Sequence, residues 1–254
     1  MTDLFHNIIY VPIYNLLVFV ADVIPGGDLG IAVIIATVIV KLILVPVSIS
    51  AIQTQRAMRL LEPELKDLRE RLKDDREAQA KEMFALYKKH KVKPFSSILM
   101  LFVQIPIVLG LYFVCMAVAK GIDPALLYSF VPSPDHVSPL FLGIFSVAGS
   151  SIVLAVVAGL TQLAQAWYAI PVPPKSTEPN PSMQQEFGRA MALQARYVFP
   201  LLIALFAYAS GALALYFAAS NLFMLAQEFL VRKTMPSIPP PHVSDALPVP
   251  SKLA

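Results

Sequence analysis

Gly30 to Ser50 read GIAVIIATVIVKLILVPVSIS, a run in which Lys41 is the one charged residue. As a helix it would cover about 30 Å, the thickness of a bilayer's hydrocarbon core. Apart from Thr37, Lys41, Ser48 and Ser50 every residue is apolar, so most of its surface must face lipid or protein rather than water. Comparable blocks lie at Ser96 to Ala119, Pro139 to Ala169 and Tyr197 to Val231. Ser210-Gly211 interrupts the last block and marks a tight turn between two spans. Composition agrees: 57% of the 254 residues are hydrophobic and 15% charged, where a soluble domain carries about 25% charged residues. The fold class is therefore an all-α polytopic membrane protein with five transmembrane helices. The last two spans, at roughly 14–16 residues or 21–24 Å each, are expected to be short and to thin the bilayer locally.

Charge placement orients the spans. Of twenty Lys and Arg, twelve fall in 51–95, three in 169–196 and three beyond residue 231. Lys41 lies inside a span, which leaves Lys120 alone for the other face with Asp3, Asp22, Asp28, Asp123 and Asp135. By the positive-inside rule the 51–95 segment and the C-terminus are cytoplasmic. The chain is thus expected to cross its membrane several times.

The 51–95 segment reads as two antiparallel helices. Met58, Leu61, Leu65, Leu68 and Leu72 alternate spacings of three and four, a heptad seam. Lys73-Asp74-Asp75-Arg76 makes the tip, Ala80, Met83 and Tyr87 face the seam from the return helix, and Pro94 stops it. Such a coiled-coil hairpin suits docking of other proteins, with Leu61, Leu65, Leu68, Leu72, Met83 and Tyr87 as its framework. Residues 1–28 are expected to form an amphipathic helix in the interface, since Asn7, Tyr10 and Tyr14 make a polar stripe; a sixth span is the alternative. The segments are then 1–28, a first span at 29–50, the hairpin at 51–95, four spans with their loops at 96–234, and a Pro-rich disordered tail at 235–254. The start lacks a basic secretory leader, so the chain is expected to be used as written.

Lys41 carries the most chemical information. An ammonium in hydrocarbon costs about 2.5–3.5 kcal/mol on insertion scales, so it must face protein or water. Thr37, four residues before it, and Ser48, seven after, share its side of the helix. Pro46 cannot donate to the Leu42 carbonyl, which adds a polar group. Other spans supply Gln104, Thr161, Gln162, Gln165, Ser220, Asn221 and Gln227, but no carboxylate at like depth. A carrier of protons or ions would offer one. A cation among amides and hydroxyls suits a polar or acidic peptide segment instead.

Other chemistry is not signalled. Cys115 stands alone, the four histidines have no ligand-like spacing, and no phosphate loop, His-Glu metal motif or G-x-S-x-G elbow occurs. Neither enzymatic activity, a metal, a cofactor nor sequence-specific nucleic-acid binding is expected. Trp167 and Tyr168 read as interfacial anchors.

Four stretches in this order, GIAVIIATVIVKLILVPVS (30–48), LEPELKDLRERLKDDREAQAKEMFALYKKHKVKP (61–94), LFVQIPIVLGLY (101–112) and SGALALYFAASNLFMLAQEFL (210–230), resemble the YidC family of membrane protein insertases across residues 5–233. The resemblance implies five core helices around a hydrophilic groove, closed outward and open to cytoplasm and lipid. It implies one basic groove residue, usually Arg, at the position of Lys41, with Thr37 and Gln104 at other groove positions. Ser96-Ser97 replace a common Gly pair. The implied function is insertion and chaperoning of integral membrane proteins, in a bacterial inner (plasma) membrane. Its partners would be newly made membrane proteins and the lipid bilayer, with a Sec translocon, a signal recognition particle or its receptor, and the ribosome as delivery partners. Ser48 and Asn221 complete the expected groove. The competing reading is a small transporter or channel with a regulatory coiled coil.

Overall fold

The computed structural model describes residues 3–90, 92, 96–134, 136–173, 175 and 183–234. The chain runs α1 (Asp3–Phe5), α2 (Val11–Val23), α3 (Leu29–Ile43), α4 (Val45–Leu60), α5 (Glu62–Arg71), α6 (Arg76–Lys89), α7 (Ser96–Val118), a short hairpin of β1 (Leu140–Phe141) and β2 (Phe145–Ser146), α8 (Ile152–Ala169), α9 (Met183–Leu193), α10 (Phe199–Tyr208) and α11 (Gly211–Thr234). The Pro-rich tail at 235–254, Pro94, and most of the 171–182 loop lie outside the described residues.

Prolines shape three helices. A π-helical turn, His6–Tyr10, joins α1 to α2, and Val11 N–H closes it on the His6 carbonyl. Pro12 follows and has no N–H to return to Ile8; the wide turn absorbs the mismatch. The same device precedes Pro200, where Gln194–Val198 joins α9 to α10 and Phe199 N–H reaches the Gln194 carbonyl. Pro46 instead breaks the chain's first expected span: α3 ends at Ile43, Leu44 is a turn, and α4 begins at Val45.

Four helices among the described residues are long and apolar enough to cross a membrane: Asp3–Val23, Ile152–Ala169, Glu186–Tyr208 and Gly211–Thr234. Leu29–Ile43 with Val45–Met58 makes a fifth if the broken pair is one span, and Phe102–Val118 is a shorter apolar helix. The last two spans are thus not short. They extend to 23 and 24 residues because good helix formers, such as Met191, Ala192 and Leu193 before one and Arg232 and Lys233 at the end of the other, carry the helix past the apolar block. The local thinning expected from them has no basis in their length. The Pro139 block is also not all helix: Pro139, Gly143 and Gly149 hold a β-hairpin and loop, and α8 starts at Ile152 behind a Ser151 cap.

The chain forms two compact units. One comprises Met1–Val45 and Phe102–Leu230, the other Pro46–Leu101 and Val231–Ala254. The core of the first gathers Tyr14, Leu17, Val18 and Ala21 of α2 with Leu29, Ala32, Val33 and Ala36 of α3, Val114 and Cys115 of α7, Ala158 of α8, and Ala212 and Tyr216 of α11. Alanines recur because helix association in lipid depends on close backbone approach. Outside this core, Ile152, Val153, Leu160, Leu201 and Leu205 are exposed, which suits lipid rather than water. The N-terminal helix, expected at the interface, has the length of a span and fully buries Tyr14 and Leu17.

One end of this unit is tied by polar bonds. Asp28 caps α3 by accepting from Ile31 N–H at 2.9 Å and also accepts from Leu142 N–H at 2.7 Å. Asn15 donates to the Leu126 carbonyl and accepts from Tyr128 N–H, at 2.8 and 2.6 Å. The Tyr14 hydroxyl accepts from Asp123 N–H at 2.7 Å. At the α10–α11 turn the Ser210 hydroxyl donates to the Val147 carbonyl at 3.0 Å, and Gly211 N–H donates to the Gly149 carbonyl at 2.8 Å. A side chain on Gly211 would collide with the Ser146 carbonyl, so only glycine fits there.

In the second unit α5 and α6 pair antiparallel. Ala57, Leu61, Leu65, Leu86, Tyr87 and Val92 form its buried cluster, flanked by Met58 and Met83. Toward the tip Arg71 pairs with Glu82 at 3.2 Å, and Asp75 caps α6 by accepting from Ala78 N–H at 2.9 Å.

Candidate functional site

Lys41 sits in the last turn of α3, not at the centre of one long helix. The cause is Pro46, whose missing N–H and ring end the helical ladder two residues after the lysine. That position favours a cation, because the last carbonyls of a helix carry partial negative charge. The side chain is 4% exposed. Its ammonium donates to Gln104 Oε1 of α7 at 3.2 Å. Among the described residues no carboxylate pairs with it. Thr37, one turn earlier on the same face, is 2% exposed, and its hydroxyl donates to the Val33 carbonyl at 2.7 Å. The bond saturates the Thr37 donor within its own helix and leaves the oxygen's acceptor capacity. Gln104 is half-buried two residues before Pro106.

Lys41, Thr37 and Gln104 are therefore brought together. Asn221 makes a different contact. It is buried on α11, and its Nδ2 faces the Ala158 carbonyl and the Thr161 hydroxyl of α8, both at 3.4 Å. Thr161 donates in turn to the Ala158 carbonyl at 2.9 Å, and Gln162 donates to Gln165 at 3.4 Å on the following turn. This α8–α11 polar pair is a second centre. Ser48 is buried on α4, in the other compact unit.

The hairpin residues divide. Leu61, Leu65, Leu68 and Tyr87 are buried, Met83 packs on their cluster, and Leu72 near the tip is half-exposed. Trp167 is exposed at the end of α8, with the Arg196 guanidinium 4.5 Å above its ring and Tyr197 edge-on at 6.2 Å. Arg196 also donates to the Trp167 carbonyl at 2.8 Å, satisfying a free group at the helix terminus.

Sequence reasoning missed Asn15 and Asp28 as ties, and Tyr216, which is 1% exposed one turn before Ser220. Asp28 before an apolar helix was a legible cap signal. Asn15 had none, because its partners are backbone groups more than a hundred residues away. No cluster of His, Cys, Asp or Glu suited to a metal occurs among the described residues.

The family model described as "60Kd inner membrane protein" matches residues 19–238. The membrane protein insertase MisCA of Bacillus subtilis is 28% identical over 228 residues, 87% of this chain and 76% of that protein. The membrane protein insertase YidC 1 of Halalkalibacterium halodurans is 29% identical over 225 residues, with the same two coverages. The membrane protein insertase YidC of Francisella tularensis subsp. novicida is 30% identical over 207 residues, 82% of this chain but 33% of that longer protein. With its family match running from α2 to the end of α11, the chain belongs to the 60Kd inner membrane protein family, that of the YidC insertases.

Proposed function

We propose that this multi-pass inner-membrane protein inserts other proteins into the bilayer, and that Lys41, with Thr37 and Gln104, holds the substrate's polar segment during crossing. The observation that carries the site is the buried ammonium of Lys41, bonded to a neutral amide and unpaired with any described carboxylate. A structural ion pair would have neutralised it. A cation left with one amide acceptor retains two N–H donors and its charge for an incoming acidic or polar group. The α8–α11 centre of Asn221 and Thr161 offers further hydrogen bonding. Insertase relatives support the activity.

The mechanism follows from cost. Moving a polar peptide stretch through hydrocarbon leaves each backbone group unsatisfied at several kcal/mol. A protein groove with fixed amides, hydroxyls and one cation replaces the lost water, while the substrate's apolar segment leaves sideways along the exposed faces of α8 and α10. Nothing in that exchange consumes a nucleotide at this site.

The basic 51–95 segment is assigned to the cytoplasm by the positive-inside rule, with the segment boundaries read from sequence. Its buried leucines hold the two arms together. The docking surface for newly made proteins, a Sec translocon, a signal recognition particle or its receptor, or the ribosome then falls on exposed positions such as Phe84.

Purified protein in liposomes should protect a small single-span substrate from added protease above the level of protein-free vesicles. Absence of protection where another insertase succeeds, together with solute or ion flux through the vesicles, would favour the transporter reading.

A further inference from the structure

We infer that the tip of the β1–β2 hairpin is a lipid-embedded anchor at the α3 N-terminal end of the protein. The tip is Leu142-Gly143, with both residues at positive φ, 52° and 71°. The strands pair Phe141 with Phe145, so Leu142–Ile144 form the loop, and positive φ in such loops ordinarily falls to Gly, Asn or Asp. Leu142 is the one non-glycine residue at positive φ among the described residues. Its side chain is 59% exposed, and that of Ile144 is 73% exposed. A left-handed conformation is sterically unfavourable for a residue with a branched apolar side chain and no local hydrogen bond to offer. The turn therefore accepts strain to hold a leucine at its apex, where water would gain nothing from it.

The surroundings indicate what covers the tip. Between His136 and Lys175 no Asp, Glu, Lys, Arg or His occurs, although 138–151 lies outside the helices. A water-facing loop of that length would carry charge. The hairpin is fixed at the level of two helix starts: at the head of α3 Leu142 N–H is held by Asp28 and Phe141 lies over Gly30, and Val147 and Gly149 hold the head of α11. β2 leads within six residues into α8, whose first turn exposes Ile152 and Val153. The chain thus runs from an exposed apolar apex into a helix whose exposed apolar surface faces lipid in a membrane-spanning protein. Trp and Tyr belts mark such interfaces in many proteins; here an aliphatic hairpin apex takes the place.

The test is spin-label depth measurement on the full-length protein in liposomes. Cys115 is fully buried and is replaced by Ala, after which single labels are introduced as Leu142→Cys and Ile144→Cys. Leu160→Cys on exposed α8 serves as the lipid reference and Glu77→Cys at the exposed hairpin tip as the water reference. Labels at 142 and 144 are expected to be more accessible to oxygen than to a nickel chelate, as at 160, and their signals should broaden with lipid-borne quenchers. A nickel-over-oxygen pattern like that of residue 77, at either site, would overturn the proposal. Low accessibility to both reagents would mean that protein covers the tip, and would overturn it as well. The readout does not depend on insertion activity, so it stands apart from the proposed function.

Discussion

The Lys41 ammonium and the Gln104 amide make a pair whose balance is testable. Replacing Gln104 by Leu removes the acceptor and strands a buried cation, a change expected to cost about 1–3 kcal/mol. Adding Lys41→Met should recover most of that loss, since two apolar groups then face each other. Thermal unfolding in detergent of the two single variants and the double variant measures the coupling; additive losses would mean that the bond at 3.2 Å carries no weight. Lys41 could be picked out from sequence because a charge inside an apolar run is conspicuous. Its position in the last turn of α3 could not, because that needs the ladder break at Leu44 to be seen. Asn221 illustrates the reverse: its polarity was legible, but its bond to α8 depends on which helices are neighbours, and composition does not encode that.

At the level of elements, the ties around 120–150 decide stability at the α3 N-terminal end. Asn15→Leu would leave the Leu126 carbonyl and Tyr128 N–H without their partner, with an expected loss of about 1–3 kcal/mol from two part-buried groups. Gly211→Ala would force Ser146 away from α11 and should cost about 1–3 kcal/mol as overpacking. Gly188→Ala is the control, since its Cβ meets nothing within 4 Å and the helix gains up to about 1 kcal/mol. Melting temperatures of the three variants check this ordering; equal values for Gly211→Ala and Gly188→Ala would contradict it. The spans of α8 and α11 and the pairing of α5 with α6 were readable from apolar runs and leucine spacing. The β1–β2 hairpin was not, because its residues are as hydrophobic as the helix that follows. Only Pro139, Gly143 and Gly149 hinted at the break. The helices ending in Tyr208 and Thr234 outran their apolar blocks for a related reason: helix formation follows propensity as well as hydropathy.

For the whole molecule, orientation is the first question. With Cys115→Ala as background, Glu77→Cys should resist a membrane-impermeant maleimide in intact cells and react after permeabilisation, as the basic hairpin's cytoplasmic assignment requires. Labelling of Glu77→Cys from outside intact cells would reverse the topology and with it the direction of insertion. The family match across residues 19–238 supports an insertase without specifying which groups act. The groups proposed to act centre on one charge, that of Lys41. Protease-protected insertion of a single-span substrate, scored in liposomes for the unaltered protein, Lys41→Ala and Lys41→Arg at equal reconstituted amounts, tests it most directly. Loss of about tenfold in initial rate with Ala, equivalent to about 1.4 kcal/mol, and a near-normal rate with Arg are predicted. Equal rates in all three would contradict the role assigned to the charge.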